Sequence, residues 1–401
     1  MSLFRFYLFL CLHLCTLSLF IVENSHRRLK LRLYNIGTKL NIKLDAALSI
    51  ADAINIPYVG DWKYNYREKG MQTSSDDVLI AFIACLHYYN NNTTFSGDGV
   101  YKMRNLQSIF ENLDLLPKLN QTLPSSAIHY LDMGCGIGSS LLIIAHKIRP
   151  LLSVGIEAQE ASAALASLSV QEIFENDPTV NITILHQDLR QLRPSCDSIS
   201  DISSLQPHQM YDLITANPPY LTLTNKTLSI CDDSHRKYAR FTFNGDVDEY
   251  VLTAKYVLAK TGRMIVSYWA KDNQRVYDAV AKAGLFVKTR VDVLMGARGT
   301  PIKDRRSSTG SLPDTPVLNT PNHPPTAADE SPKPYMNIFV ITHPPSGTDS
   351  SIDSDTSIVT LDLRFTRGVE ATPQRYKVIQ RWLDMRPRPL KRKAGSAATY
   401  E

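Results

Sequence analysis

The sequence predicts an α/β protein on a doubly wound, mostly parallel sheet, and three observations point there. Apolar runs of strand length alternate with helical patterns from Ile128 to Ile341. The run Ile128-His129-Tyr130-Leu131 leads into Asp132-Met133-Gly134-Cys135-Gly136-Ile137-Gly138 and then an apolar helix, Leu141 to Ile148. A later run, Tyr211 to Ala216, ends in Asn217-Pro218-Pro219-Tyr220. Open α/β sheets place their ligands at the carboxyl ends of strands, so both motifs fall where chemistry is expected.

In chain order, Leu3 to Val22 is almost wholly apolar, with only Arg5 and His13 carrying possible charge, so residues 1–22 read as a signal peptide or signal anchor outside the fold. Six Lys or Arg and no acid lie between Asn24 and Leu44, which makes residues 23–71 a basic, transit-like N-terminal extension. The two together resemble the address of complex plastids reached through the secretory pathway. A mitochondrial address, or a cytoplasmic protein with a mispredicted first exon, is the alternative. Leu44 to Ile54 has helical spacing. Trp62, Tyr64 and Tyr66 alternate with Lys63, Asn65 and Arg67, a strand-like stripe that either packs on the sheet or meets RNA bases. Asp77 to His87 reads as a helix.

The glycines at every second position after Asp132 let the backbone approach a ligand and permit positive φ. Their spacing is not G-x-G-x-x-G, and no Lys-Ser/Thr pair follows, which speaks against NAD and ATP. The next strand ends at Glu157, 25 residues after Asp132, where a carboxylate accepts both hydroxyls of a ribose. A third, Asn181 to Leu185, leads to Asp188, expected at the adenine edge of the same ligand; either acid alone also reads as a solvated loop residue. In the fourth motif the Asn217 side-chain oxygen and the Pro218 carbonyl can accept both hydrogens of one planar NH2 group. Proline stiffens the loop, and the Tyr220 ring offers a stacking face. Asn-Pro-Pro by itself is also an ordinary strand-ending turn.

On these residues the chain resembles the class I S-adenosylmethionine-dependent methyltransferases, and within them the bacterial tRNA(Val) (adenine-N6)-methyltransferase family. Ser74-Ser75-Asp76-Asp77-Val78-Leu79-Ile80, Arg236-Lys237-Tyr238-Ala239-Arg240-Phe241, Gly262 to Tyr268, the strands Met336 to Ile341 and Ile358 to Leu363, and Gln374-Arg375-Tyr376 are similar to family segments. The likeness spans residues 72–86 and 127–383. It implies a seven-stranded Rossmann-like sheet with an antiparallel C-terminal strand pair. It implies S-adenosylmethionine as cofactor, held by Asp132, Gly134, Cys135, Gly136, Gly138, Glu157, Asp188 and Asn217. Asn217, Pro218, Pro219 and Tyr220 are then catalytic, with Tyr220, Arg236, Lys237 and Arg240 meeting a tRNA substrate.

The domain plan is one catalytic domain, 72–385, with insertions at 87–126 and 297–334, and a basic tail, 386–401. Eight prolines between 301 and 334 rule out a regular ladder there. Hydrophobic residues at 43% suffice for a core, and a net charge of +5 permits nucleic acid without requiring it. Without a C-x-x-C pair the six cysteines signal neither structural zinc nor a disulfide framework, and no metal is expected. Cys231, 11 residues past Tyr220, lacks the Pro-Cys loop of a carbon methyltransferase. A monomer is expected, touching membrane only through an uncleaved leader. Alternatives to the tRNA acceptor are a release-factor glutamine, DNA adenine, or a non-catalytic cofactor- or RNA-binding scaffold.

Overall fold

The computed structural model describes residues 53–67, 73–92, 106–113, 126–193, 210–221, 242, 245–296, 333–344, 356–364 and 374–387. The leader, the Leu44 helix as far as residue 52, residues 297–332 of the second insertion, the basic tail beyond 387, and Arg236, Lys237, Arg240 and Cys231 lie outside them.

Eight strands form the main sheet: β3 (Ser126–Met133), β4 (Pro150–Glu157), β5 (Ile182–His186), β6 (Tyr211–Ala216), β7 (Leu258–Trp269), β8 (Phe286–Leu294), β9 (Met336–Thr342) and β10 (Ser357–Asp362). Their spatial order is β10-β8-β9-β7-β6-β3-β4-β5. All pairings are parallel except those of β9, which runs antiparallel to β7 and β8. The α/β class and the antiparallel pair are as expected. Among the described residues the count is eight rather than seven, because Phe286–Leu294, a run not named from the sequence, adds β8 between β9 and β10, so that β10 pairs with β8 in parallel. The second insertion leaves after β8 and returns into β9, two paired strands, with Val293 opposite Met336.

Central strands are buried on both faces, which is why they read as near-continuous apolar runs. One face is covered by α1 (Ser75–Asn92), α2 (Leu106–Glu111), α3 (Ser139–Ile148), α4 (Glu160–Asn176) and α7 (Gln374–Trp382), the other by α5 (Val247–Val257) and α6 (Gln274–Ala283). The chain passes from β3 outward to β4 and β5 on one side, and through β6 to β7 on the other. The reversal between β3 and β6 is a topological switch point, where α/β sheets open a crevice.

A hairpin of β1 (Ala53–Val59) and β2 (Trp62–Arg67), which precedes residue 72, shares one hydrophobic core with α1 and α3. Trp62 and Tyr64 are buried, which assigns the aromatic stripe to packing. The physical reason is the alternation itself, which buries one face of β2 and exposes the basic residue between the two rings. The first insertion is also partly structural. Helix α1 runs on to Asn92, and α2 buries Leu106, Ile109 and Phe110. Arg386, at the expected start of the loose tail, donates to the Gly60 carbonyl at 2.7 Å and reaches Asp61 at 3.1 Å. Trp382 meets Phe82 and Tyr89 edge-on, with the Lys147 ammonium over its ring. Among the described residues no helix is long and apolar enough to cross a membrane.

Candidate active site

The carboxyl end of β3 turns through three glycines with φ of +70° at Gly134, +57° at Gly136 and +89° at Gly138. These are left-handed values that side chains disfavour. The turn is fixed to β4, since Gly134 and Cys135 donate their N–H groups to the Ile156 carbonyl at 2.8 and 3.0 Å. Glu157 continues the clamp, accepting from the N–H of Gly136 at 2.8 Å and of Gln159 at 2.7 Å. Its burial raises the carboxyl pKa, opposed by these amides.

Asp132 faces inward and is buried. Thr215, its register partner on β6, donates to it at 2.6 Å, and the Thr215 oxygen lies 2.7 Å from the Tyr130 hydroxyl. Burial pushes the Asp132 carboxyl up to about 7, against the lowering effect of the Thr215 hydroxyl.

Four β6 residues pair with β3, which places Asn217 and the glycine turn side by side. The Asn217 amide nitrogen donates to Asp77 Oδ1 at 3.0 Å, and its oxygen accepts from Ser267 Oγ of β7 at 2.7 Å. Asp77 enters from the start of α1, where Ser74 and Asp77 cap each other. Ser74 N–H donates to Asp77 Oδ2 at 2.8 Å and Asp77 N–H to Ser74 Oγ at 3.2 Å.

One crevice is lined by Gly134, Cys135, Gly136 and Glu157 from the first two strand ends and by Asn217 and Pro219 from β6. Asp77, Gln187 and Tyr250 also border it. Of the remaining residues singled out from sequence, Asp132 and Gly138 underpin the turn without lining the crevice. Tyr220 packs beside it, stacked on Trp269 and edge-on to Tyr268, with ring centroids 6.4 Å apart in both cases. Asp188 caps the turn that follows it. Its carboxylate accepts the Arg190 N–H at 2.9 Å and pairs with the Arg190 guanidinium at 2.5 Å, which lowers its pKa. Asp188 does not line the crevice, whereas its neighbours Gln187 and Leu189 do.

Sequence reading missed Ser267, Tyr250 and the Thr215–Tyr130 pair. Asp77 stood only inside a family-like segment. The Asp-x-Arg spacing at 188–190 was the available signal for the local cap. Among the described residues no cluster of His, Cys, Asp or Glu could hold a metal ion.

A mostly parallel sheet with a topological switch point, a glycine turn after β3, an acid ending β4 and Asn-Pro-Pro-Tyr after β6 define a doubly wound, Rossmann-like α/β fold with its polar groups gathered at one end. The chain is similar to curated proteins named tRNA1(Val) (adenine(37)-N6)-methyltransferase. Those of Yersinia pestis (strain Pestoides F) and Yersinia pseudotuberculosis serotype O:1b (strain IP 31758) are each 29% identical over 164 residues, 41% of this chain and 59% of the relative. The chain thus spans about three fifths of the length of these relatives. No family model matches it. Similar solved structures include a predicted O-methyltransferase from Agrobacterium tumefaciens, 12% identical with a TM-score of 0.39, covering 68% of this chain and 96% of that one. Another is a type I restriction-modification methyltransferase subunit from Streptococcus thermophilus, 13% identical with a TM-score of 0.38, covering 79% and 53%.

Proposed function

We propose that the chain is an S-adenosylmethionine-dependent N-methyltransferase whose acceptor is an exocyclic amine, the N6 of an adenine in a tRNA. One observation carries this reading: the glycine turn and the lip residues Asn217 and Pro219 line a single crevice. The residues suit the cofactor. A side-chain carbon built at Gly136 would meet nothing within 4 Å, so the turn borders open space, and Glu157 and Gln187 give that space polar walls. When bound, S-adenosylmethionine supplies an electrophilic methyl group on a sulfonium.

The chain's own contribution is positioning, which alone removes a large part of such a barrier. An adenine amine is a poor nucleophile because its lone pair is delocalised into the ring. In this reading Asn217 Oδ1 and the Pro218 carbonyl accept its two hydrogens and favour a pyramidal nitrogen. Tyr220 stacks on the base once it is unstacked from its neighbours. Gln187 and Leu189 take the nucleoside edge of the cofactor, with Asp188 shaping their turn. Arg236, Lys237 and Arg240 bind RNA phosphate. The names of the relatives support the tRNA acceptor, and the leader supports delivery to an organelle with its own tRNAs, a plastid first and a mitochondrion second.

The test offers tritiated S-adenosylmethionine with a valine tRNA transcript or with a release factor. Transfer to the transcript, lost in Asn217→Ala with cofactor binding retained, is the expected result. Transfer to the release factor would reassign the acceptor to a glutamine amide, and binding without transfer would leave a scaffold. Nucleoside mass spectrometry of a knockout should show loss of N6-methyladenosine from tRNA. A fluorescent fusion to residues 1–71 locates the organelle.

A further inference from the structure

We infer that Asp77 is a positioning residue: it fixes which way the Asn217 amide faces, and so which atom Asn217 offers to the substrate amine. The inference rests on the transfer to a planar NH2 group proposed above.

The two ends of the Asn217 amide meet partners of different kinds. An ionised carboxylate only accepts, so Asp77 holds the NH2 end and disfavours the flipped amide, which would set two oxygens against each other. A serine hydroxyl donates or accepts with equal ease and follows whichever end it meets, so Ser267 completes the arrangement without choosing it. Asp77 is itself held, because its second oxygen takes the Ser74 N–H and its own N–H goes to the Ser74 hydroxyl. Elements 140 and 50 residues from Asn217 in sequence therefore meet on one amide. A second lone pair on Asn217 Oδ1 is left for an acceptor hydrogen.

Asp77→Asn tests this with almost no change of shape. The new side chain has one carbonyl oxygen for two donors, Ser74 N–H and the Asn217 NH2. With that oxygen on the helix cap, its own NH2 faces Asn217 and favours the inverted amide. Turnover with a valine tRNA transcript should fall roughly ten- to hundredfold, the scale of a hydrogen bond to a charged group. KM for the transcript and the calorimetric affinity for S-adenosylmethionine should stay within about twofold, as for an interaction used in the transition state. Ser74→Ala removes the cap hydroxyl and leaves the carboxylate in place, so it should lower Tm and keep turnover near wild type. Wild-type turnover in Asp77→Asn, or equal losses in both variants, would overturn the inference.

A measurement on the wild-type protein decides the matter if Asp77→Asn does not fold. In 15N-asparagine-labelled protein the Asn217 side-chain NH2 signal, identified by its absence in Asn217→Ser, should exchange with solvent more slowly than exposed asparagines. Exchange at the exposed rate refutes a held amide. This readout needs no substrate, so failure of the amide arrangement and failure of the methyl-transfer reading can be told apart.

Discussion

The Glu157 carboxylate accepts the N–H of Gly136 at 2.8 Å, tying the tip of β4 to the middle of the glycine turn 21 residues earlier. Its other oxygen takes the Gln159 N–H, so the acid shapes the crevice wall before any ligand arrives. Glu157→Gln keeps the volume but has a single acceptor oxygen, which leaves one amide unpaired. The expected loss is about 1–3 kcal/mol of stability with weaker S-adenosylmethionine binding, read by thermal melting and calorimetry. Unchanged values for both would show that the carboxylate does not hold the turn.

Asp132 makes apoprotein stability depend on pH. Its folded pKa, about 7, lies above the ordinary 3.8, so the folded state binds a proton that the unfolded chain releases earlier. The contribution is complete below about pH 4 and is lost as pH rises towards 7, on the order of a few kcal/mol. Asp132→Asn carries no such proton. Between pH 4 and 7 the Tm of the wild type should therefore fall relative to that of Asp132→Asn, and above pH 8 the two curves should run parallel. Parallel curves throughout would contradict a raised pKa.

Gly134 and Gly136 should respond differently to a methyl group. At Gly134 the added carbon would lie 2.6 Å from the Tyr250 hydroxyl, whereas at Gly136 it meets nothing within 4 Å. Both positions carry the left-handed strain of about 1–2 kcal/mol. Gly134→Ala should lose more Tm than Gly136→Ala, and Tyr250→Phe should return part of that loss. Gly136→Val should fold and fail to bind S-adenosylmethionine in a calorimeter.

Much of this was legible because a parallel sheet buried on both faces writes its strands as apolar runs, and strand ends are where such folds collect polar groups. Asp132, Glu157 and Asn217 could be placed at one end of the sheet from that alone. Asp77 could not, because its approach depends on how α1 packs, and nothing in a 140-residue separation records that packing. Asp188 sits at the expected strand end, yet its pairing with Arg190 two residues on is a local contact that strand position alone does not reveal. The stripe of Trp62 and Tyr64 suited both packing and RNA until burial decided between them.

The hairpin makes a further prediction. Tyr64 is fully buried, stacks on Tyr58 with centroids 4.1 Å apart, and accepts a hydrogen bond from Thr73 at 3.1 Å. Tyr58 in turn donates to the Ser139 carbonyl at 3.0 Å, at the first turn of α3. Tyr64→Ala should cost about 3–5 kcal/mol, the range for a buried aromatic, seen as a large drop in Tm. A loss under about 1 kcal/mol would instead match a surface appendage.

Trp382 closes the face of the sheet against Phe82 and Tyr89, side chains made some three hundred residues earlier. The ribosome must therefore finish α7 and clear its exit tunnel before that layer can shut. Until then only the edge of α1 that carries Phe82 and Tyr89 lacks its cover.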